Sequence, residues 1–188
     1  MDVVTDTRDR IRQEAVALFT ERGYATTSLR EIADRVGITK ASLYYHYPSK
    51  QDLLAAVVEP LLADWKQTVS EAERLPRTEA DVRTVLGSCL DTMMSHRAVA
   101  NLFLRDAPAM LAALAPMLDD LLEVGLRLRT WLAGPDPSPV ARVRAVAAIE
   151  LLGAGLSAGA TLDDVPDPLV RQTLLESAEL VLAGRAGA

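Results

Sequence analysis

The side chains of this 188-residue chain best equipped to grip another molecule stand within eight positions: Thr39, Lys40, Ser42, Tyr44, Tyr45 and His46. A lysine can donate to the guanine acceptors of a major groove, while hydroxyls, phenols and an imidazole can meet backbone phosphate oxygens. For these groups to act together, one helix must turn them outward and bury its other side. The spacing supplies such a helix. Small Ala33 allows two helices to cross closely, Gly37 four residues later can take a positive φ at the turn, and apolar Leu43 follows ten after Ala33. Ile32, Val36, Ile38 and Leu43 then form the small core that holds the second helix of the pair across the first.

The elements that position this unit follow from periodicity and punctuation. Ile11, Ala15, Leu18 and Phe19 give a first helix one apolar stripe, ending at Gly23 as a left-handed stop. Ser28 with Glu31 is a capping box for a short helix that Gly37 closes. Thr39 starts the third helix, which must stop near Tyr47 because Pro48 disfavours helical geometry in the residue before it. Ser49 and Asp52 repeat the cap ahead of a longer helix carrying Leu53, Leu54, Val57, Val58, Leu61, Leu62, Trp65 and Val69, with Pro60 expected to kink or break it. Thr78 with Asp81 opens the next helix, whose periodic face places Cys89 in a core rather than at a reactive surface. Further helices are expected over His96–Asp106, Ala109–Ala133 with an interruption near Pro116, Pro139–Ala160 and Pro168–Ala183. No strand candidate survives, so the fold class is all-α.

Composition narrows the function. The chain is 49% hydrophobic and only 4% aromatic, so its apolar content is mostly helix-favouring Leu and Ala together with Val. One cysteine and two distant histidines, His46 and His96, exclude a metal-ligand cluster. Phosphate-cradling glycine loops, Glu-x-x-His pairs and nucleophile elbows are absent from the sequence, which argues against an enzyme and against a bound cofactor. The longest uncharged apolar runs, Ala107–Leu118 and Leu151–Leu162, fall short of the ~20 residues that span a bilayer, and Met1-Asp2 begins no signal peptide; a reducing cytoplasm is expected and a membrane partner is not. The net charge of −6 hides an asymmetry. Residues 1–50 carry 8 Lys/Arg and 7 Asp/Glu, net +1, whereas the remainder carries 12 and 19, net −7.

Thr26-Thr27-Ser28-Leu29-Arg30-Glu31-Ile32-Ala33, then Val36-Gly37-Ile38 and Leu43-Tyr44-Tyr45-His46-Tyr47-Pro48-Ser49-Lys50, resemble the DNA-binding domain of the tetracycline-repressor (TetR) family. The resemblance is close over about residues 8–55 and beyond them rests only on length and helical pattern. It implies a three-helix helix-turn-helix domain over residues 1–50 and a larger helical domain over 51–188 that binds a small molecule and dimerises through its last two long helices. It also implies double-stranded DNA bearing an inverted repeat as the partner of a homodimer. Carried over by position, Arg30, Lys40, Ala41 and Ser42 are base-edge candidates, and Ser28, Tyr44, Tyr45, His46 and Lys50 phosphate candidates, with Thr39 at the helix start between the two sets. Some of these residues have simpler roles open to them. Arg30 is placed to pair with Asp34, Ser28 to cap a helix, and Tyr24 and Tyr47 to plug the small core rather than touch DNA.

The second domain carries softer signals. Small residues four apart, among them Gly155 and Gly159, permit close helix approach at a subunit interface or within a tight core. Trp65, Met93, Phe103, Met110, Met117 and Trp131 are candidates to line an adaptable pocket, with His96, Asn101, Arg105 and Asp106 as polar groups beside it. That lining favours a neutral, largely apolar effector. An anion would need one of Arg97, Arg105, Arg127 or Arg129 to point inward, since an unpaired buried charge is costly. The sequence thus reads as a ligand-released repressor, the alternative being a DNA-bound protein whose C-terminal domain engages another protein.

Overall fold

The computed structural model describes residues 6–161 and 164–184, with the side chains at 100, 104–106 and 155–161 left out of the description. These residues fall into two compact units, and the chain passes between them more than once: the first unit comprises residues to Leu61 together with Ala98–Asp119, the second Leu62–Arg97 together with Asp120 onward. All the described regular structure is helical.

In the first unit, α1 (Thr7–Arg22), α2 (Leu29–Val36) and α3 (Lys40–His46) lead into the opening half of α4 (Lys50–Ala72). The apolar stripe of α1 is buried in full, against Leu29, Ile32, Ala33 and Val36 of α2 and Leu43 of α3. Tyr24 and Tyr47 are buried with them, as core residues. Gly23 ends α1 at φ 94° and ψ 151°; this is not the left-handed conformation that its position predicts, but a positive-φ extended one that equally favours glycine. The unit is completed by α6 (Arg97–Ala113), which adds Val99, Leu102, Met110 and, just past its end, Leu114 to the same core. The sequence assigned those residues to the other domain.

The second unit holds the rest of α4, α5 (Glu79–Ser95), most of α7 (Leu118–Ala133), α8 (Pro139–Thr161) and α9 (Asp167–Ala183). α8 packs along α9, and both pack on α5. Leu86, Cys89 and Leu90 of α5 and Ala145, Ala148 and Leu152 of α8 are fully buried. Exposed ion pairs such as Lys66–Asp120, Arg83–Glu179 and Asp91–Arg171 decorate this unit, and each contributes little to stability.

Two prolines behave differently from expectation. Pro60 neither breaks nor ends α4, and α6 runs through Pro108 to Ala113, so the boundary expected after Asp106 does not occur. Proline removes one donor and crowds one carbonyl, which flanking turns with well-buried faces can absorb. Leu53, Leu54, Val57 and Val58 before Pro60, and Met110 after Pro108, are buried in this way. At Pro116 the expected interruption does occur, as a 3-10 turn over Ala115–Met117.

Candidate nucleic-acid interface and effector cavity

The connection between α1 and α2 is fixed by hydroxyls. Thr26 Oγ1 donates to Arg22 O (2.6 Å) and buried Thr27 Oγ1 to Gly23 O (2.9 Å), which leaves Ser28 to cap α2. Ser28 Oγ accepts from the Glu31 N–H (3.2 Å), and the Ser28 N–H donates to Glu31 Oε2 (2.8 Å), a complete capping box. The Ser28 backbone and hydroxyl hydrogen bonds, with Arg22 adding its charge, hold the Glu31 carboxyl below its ordinary pKa.

At the far end of α2, Gly37 takes the left-handed conformation (φ 79°, ψ 33°), and the N–H groups of Gly37 and Ile38 both reach Ala33 O at 3.0 Å. Arg10 of α1 donates to Val36 O (2.9 Å), so a helix-end carbonyl is satisfied from outside the motif. Thr39 Oγ1 then accepts from the Ser42 N–H (3.1 Å) to start α3. Leu43 is 0% exposed and pins α3 down, while Tyr44 and Tyr45 on its other side are 42% and 88% exposed. Lys40 Nζ stands 5.4 Å from the centre of the Tyr44 ring, and the Tyr45 and His46 rings meet edge-on at 5.5 Å. Thr39, Lys40, Ala41, Tyr44 and Tyr45 are exposed, and Ser42 and His46 are half-buried.

Lys50 has local partners: its Nζ donates to Ala25 O (3.2 Å) and lies 4.4 Å above the buried Tyr24 ring. Arg30 and Asp34 approach only to 4.0 Å and both remain mostly exposed. The DNA candidates therefore share one unit, with Ser28 and Arg30 at the start of α2, the largest group on α3 and Lys50 at the start of α4.

The pocket candidates divide between the units. Trp65 and Met93 line a cavity of about 210 Å³ inside the second unit, together with Leu62, Val124, Leu128 and Ile149 among others. Phe103, Met110 and Met117 instead belong to the core of the first unit, Asn101 is half-buried on α6 there, and so these four are not brought to the cavity. His96 Nε2 lies 2.7 Å from Asp64. Trp131 is half-buried near the end of α7, where its carbonyl accepts from Arg77 (2.7 Å). Gly155 and Gly159 lie among the positions whose surroundings are not described. The lining that sequence reasoning missed, Leu121, Val124, Gly125 and Leu128, repeats every three to four residues along α7; its period marks a buried face, but no period tells which buried face encloses a void.

The four arginines divide as well. Arg97 is committed to Asp167 (2.5 Å) and Arg127 to Glu73 through two bonds (2.6 and 2.9 Å), and these contacts lower the pKa of each carboxyl. The Arg105 side chain lies outside the description. Arg129 Nε is buried with no hydrogen-bond partner among the described residues.

Residues 11–57 match the family profile described as bacterial regulatory proteins, tetR family. The biofilm operon icaADBC HTH-type negative transcriptional regulator IcaR of Staphylococcus epidermidis is 46% identical over 52 residues, 28% of each chain. The HTH-type transcriptional repressor KstR2 of Mycolicibacterium smegmatis is 41% identical over 58 residues, 31% of this chain and 28% of that one. The similarity thus spans little more than a quarter of these curated relatives. Over the whole chain the fold is shared with solved structures: Mycobacterium smegmatis AmtR superposes with a TM-score of 0.79 at 23% identity, covering 100% of this chain and 90% of that one. PfmR of Thermus thermophilus, a TetR family transcriptional regulator, gives 0.75 at 19% identity, covering 95% and 100%.

Proposed function

We propose that this chain, whose residues 11–57 match the tetR-family profile of bacterial regulatory proteins, is a transcriptional repressor that binds an inverted-repeat operator as a homodimer and is released by a small molecule. The observation that carries the reading is α3 itself: Leu43 anchored at 0% exposure beneath Lys40, Tyr44 and Tyr45, which face outward on a helix of DNA-reading length. Lys40, Arg30, Ala41 and Ser42 read base edges, and Ser28, Thr39, Tyr44, Tyr45, His46 and Lys50 seat phosphates. The relatives' printed names, a negative regulator and a repressor, favour repression. Such a protein works in the cytoplasm, and its family comprises DNA-binding factors rather than enzymes.

Two further observations support the remainder. Val140 and Val143 of α8 and Leu169 and Leu180 of α9 are exposed apolar side chains on the helix pair proposed to dimerise. The cavity beside Trp65 and Met93 is walled by apolar groups, as a largely apolar effector requires. Selection of bound duplexes from random DNA, followed by binding titrations with Lys40→Ala, tests the proposal. The expected result is an inverted repeat whose preference over random DNA is relaxed by the substitution. Selection of no sequence, or of a site without internal symmetry, rejects it.

A further inference from the structure

Several cations of the first unit are neutralised where they stand. Arg12 pairs with Asp9, Arg22 with Glu31, and Arg35 with both Glu14 and Glu21, while Arg30 approaches Asp34 only to 4.0 Å. Arg8, Arg10 and Lys40, by contrast, form no ion pair among the described residues. Arg10 is spent on Val36 O, and Lys40 is already a base-edge candidate beside the Tyr44 ring. Arg8 has neither role. It is exposed in the first turn of α1, and its Cζ stands 5.4 Å from the centre of the Tyr47 ring. Tyr47 caps the end of α3, is 2% exposed, and donates its hydroxyl to the Arg8 carbonyl at 3.4 Å, so ring and arginine are tied twice. Asp6 accepts from the Arg8 backbone N–H and Asp9 is engaged by Arg12, so the two carboxylates nearest in sequence are both directed elsewhere. A side chain from the start of the chain is thereby carried 39 residues along, to the corner where α3 gives way to α4. The phosphate candidates His46 and Lys50 flank that corner.

We propose that Arg8 is a DNA-phosphate contact, which extends the nucleic-acid interface from α3 onto the first turn of α1. This rests on the DNA-binding reading above and adds to it a residue from outside the helix-turn-helix. An arginine with no carboxylate beside it keeps its charge for an incoming anion, whereas a paired one must first give up its partner. The planar guanidinium presents its donors as a fork, which matches the two free oxygens of a phosphodiester. Stacking on Tyr47 restrains the side chain in advance, so less freedom is lost when a phosphate arrives. With Arg10 reaching Val36 just before α3 and Arg8 reaching Tyr47 just after it, these charges stand at the two ends of the recognition helix, and Lys40 lies on it. A phosphate carries no sequence information, so Arg8 adds grip and leaves base preference alone.

Salt titrations of the full chain with a fluorescein-labelled duplex of arbitrary sequence, followed by anisotropy, test the assignment, because phosphate contacts are made to any DNA. In the parent, log affinity should fall steeply with log salt. Arg8→Ala should make that slope shallower by about 0.9 for each Arg8 removed, and should weaken binding roughly tenfold at low salt. Arg8→Lys keeps the charge and should keep the slope while losing part of the affinity. Arg74→Ala removes the same charge from an exposed position just past α4 in the second unit, and should leave slope and affinity unchanged. Thermal scans accompany the titrations: a merely structural role for Arg8 over Tyr47 would lower the melting temperature of Arg8→Ala and leave the salt slope in place. An unchanged slope in Arg8→Ala, or an equal loss in Arg74→Ala, overturns the inference and leaves the DNA-binding reading standing. A parent that binds no duplex rejects both.

Discussion

Lys40 and Lys50 carry the same charge into different surroundings, and their substitutions should differ accordingly. Lys40 is exposed on α3 with the Tyr44 ring beside it, so Lys40→Ala should leave the melting temperature unchanged and cost on the order of 1–3 kcal/mol at the operator but less on random DNA. Lys50 also ties the α1–α2 connection through Ala25 O and Tyr24, so Lys50→Ala should weaken binding to all sequences alike and lower the melting temperature as well. Calorimetry and salt-dependent DNA titrations on the two variants separate these effects. Cys89 is fully buried, and burial pushes its thiol up to about 12; an alkylating reagent should modify it in the native protein only as fast as the second unit opens. That Cys89 and Tyr47 are core residues was legible in the sequence, because helical period and a position after a helix end both specify burial. The local ties of Lys50 were not legible, since they depend on a chain segment 25 residues away.

Helix ends supply the next predictions. The capping box of α2 draws its strength from an ionised Glu31, whose folded-state pKa is lowered by the Ser28 hydrogen bonds. A depressed carboxyl stabilises the fold above its unfolded pKa, near 4.5, and that stabilisation disappears as pH falls through the lower folded value. The protection factors of the amides at the start of α2, their rates relative to intrinsic exchange at the same pH, should therefore fall below about pH 4, and Ser28→Ala, costing about 1 kcal/mol, should lower them in the same way at neutral pH. At the end of α7, Gly134 adopts φ 87°, and the Arg77 guanidinium lies 3.0 Å from where its Cβ would stand while donating to the carbonyls of Trp131 and Leu132. Gly134→Ala should cost roughly 1–2 kcal/mol by chemical denaturation, from the left-handed backbone alone and more if Arg77 is displaced. The caps at Ser28, Thr39, Ser49 and Thr78 could be read in the sequence, since each is a local pattern. The continuity of α4 through Pro60 and of α6 through Pro108 could not, because it depends on burial of the flanking turns.

For the whole molecule, a homodimer is the state the proposed operator requires, and ultracentrifugation at micromolar concentration checks it. Charged substitutions at Val143 and Leu169, both exposed in the single chain, should shift the protein toward monomer and weaken operator binding in parallel. The sequence conveyed the all-helical class and the residues of α1 to α3, whose contacts are short-range. It did not convey that Val99, Leu102, Met110 and Leu114 join the same buried cluster as those helices, because nothing in a local pattern names a partner more than 50 residues upstream.

That returning segment has a consequence for how the protein can be made and exchanged. On the ribosome, the first 61 residues emerge before α6 and its end, so the buried apolar cluster of the first unit is complete only once Leu114 has been synthesised. The same topology makes the DNA-reading segment a poor cassette for chimeric regulators. A graft cut at residue 50 or 61 takes the helix-turn-helix but leaves behind Val99, Leu102, Met110 and Leu114 of the same buried cluster, and should yield a fragment that binds more apolar dye and melts lower than the full chain.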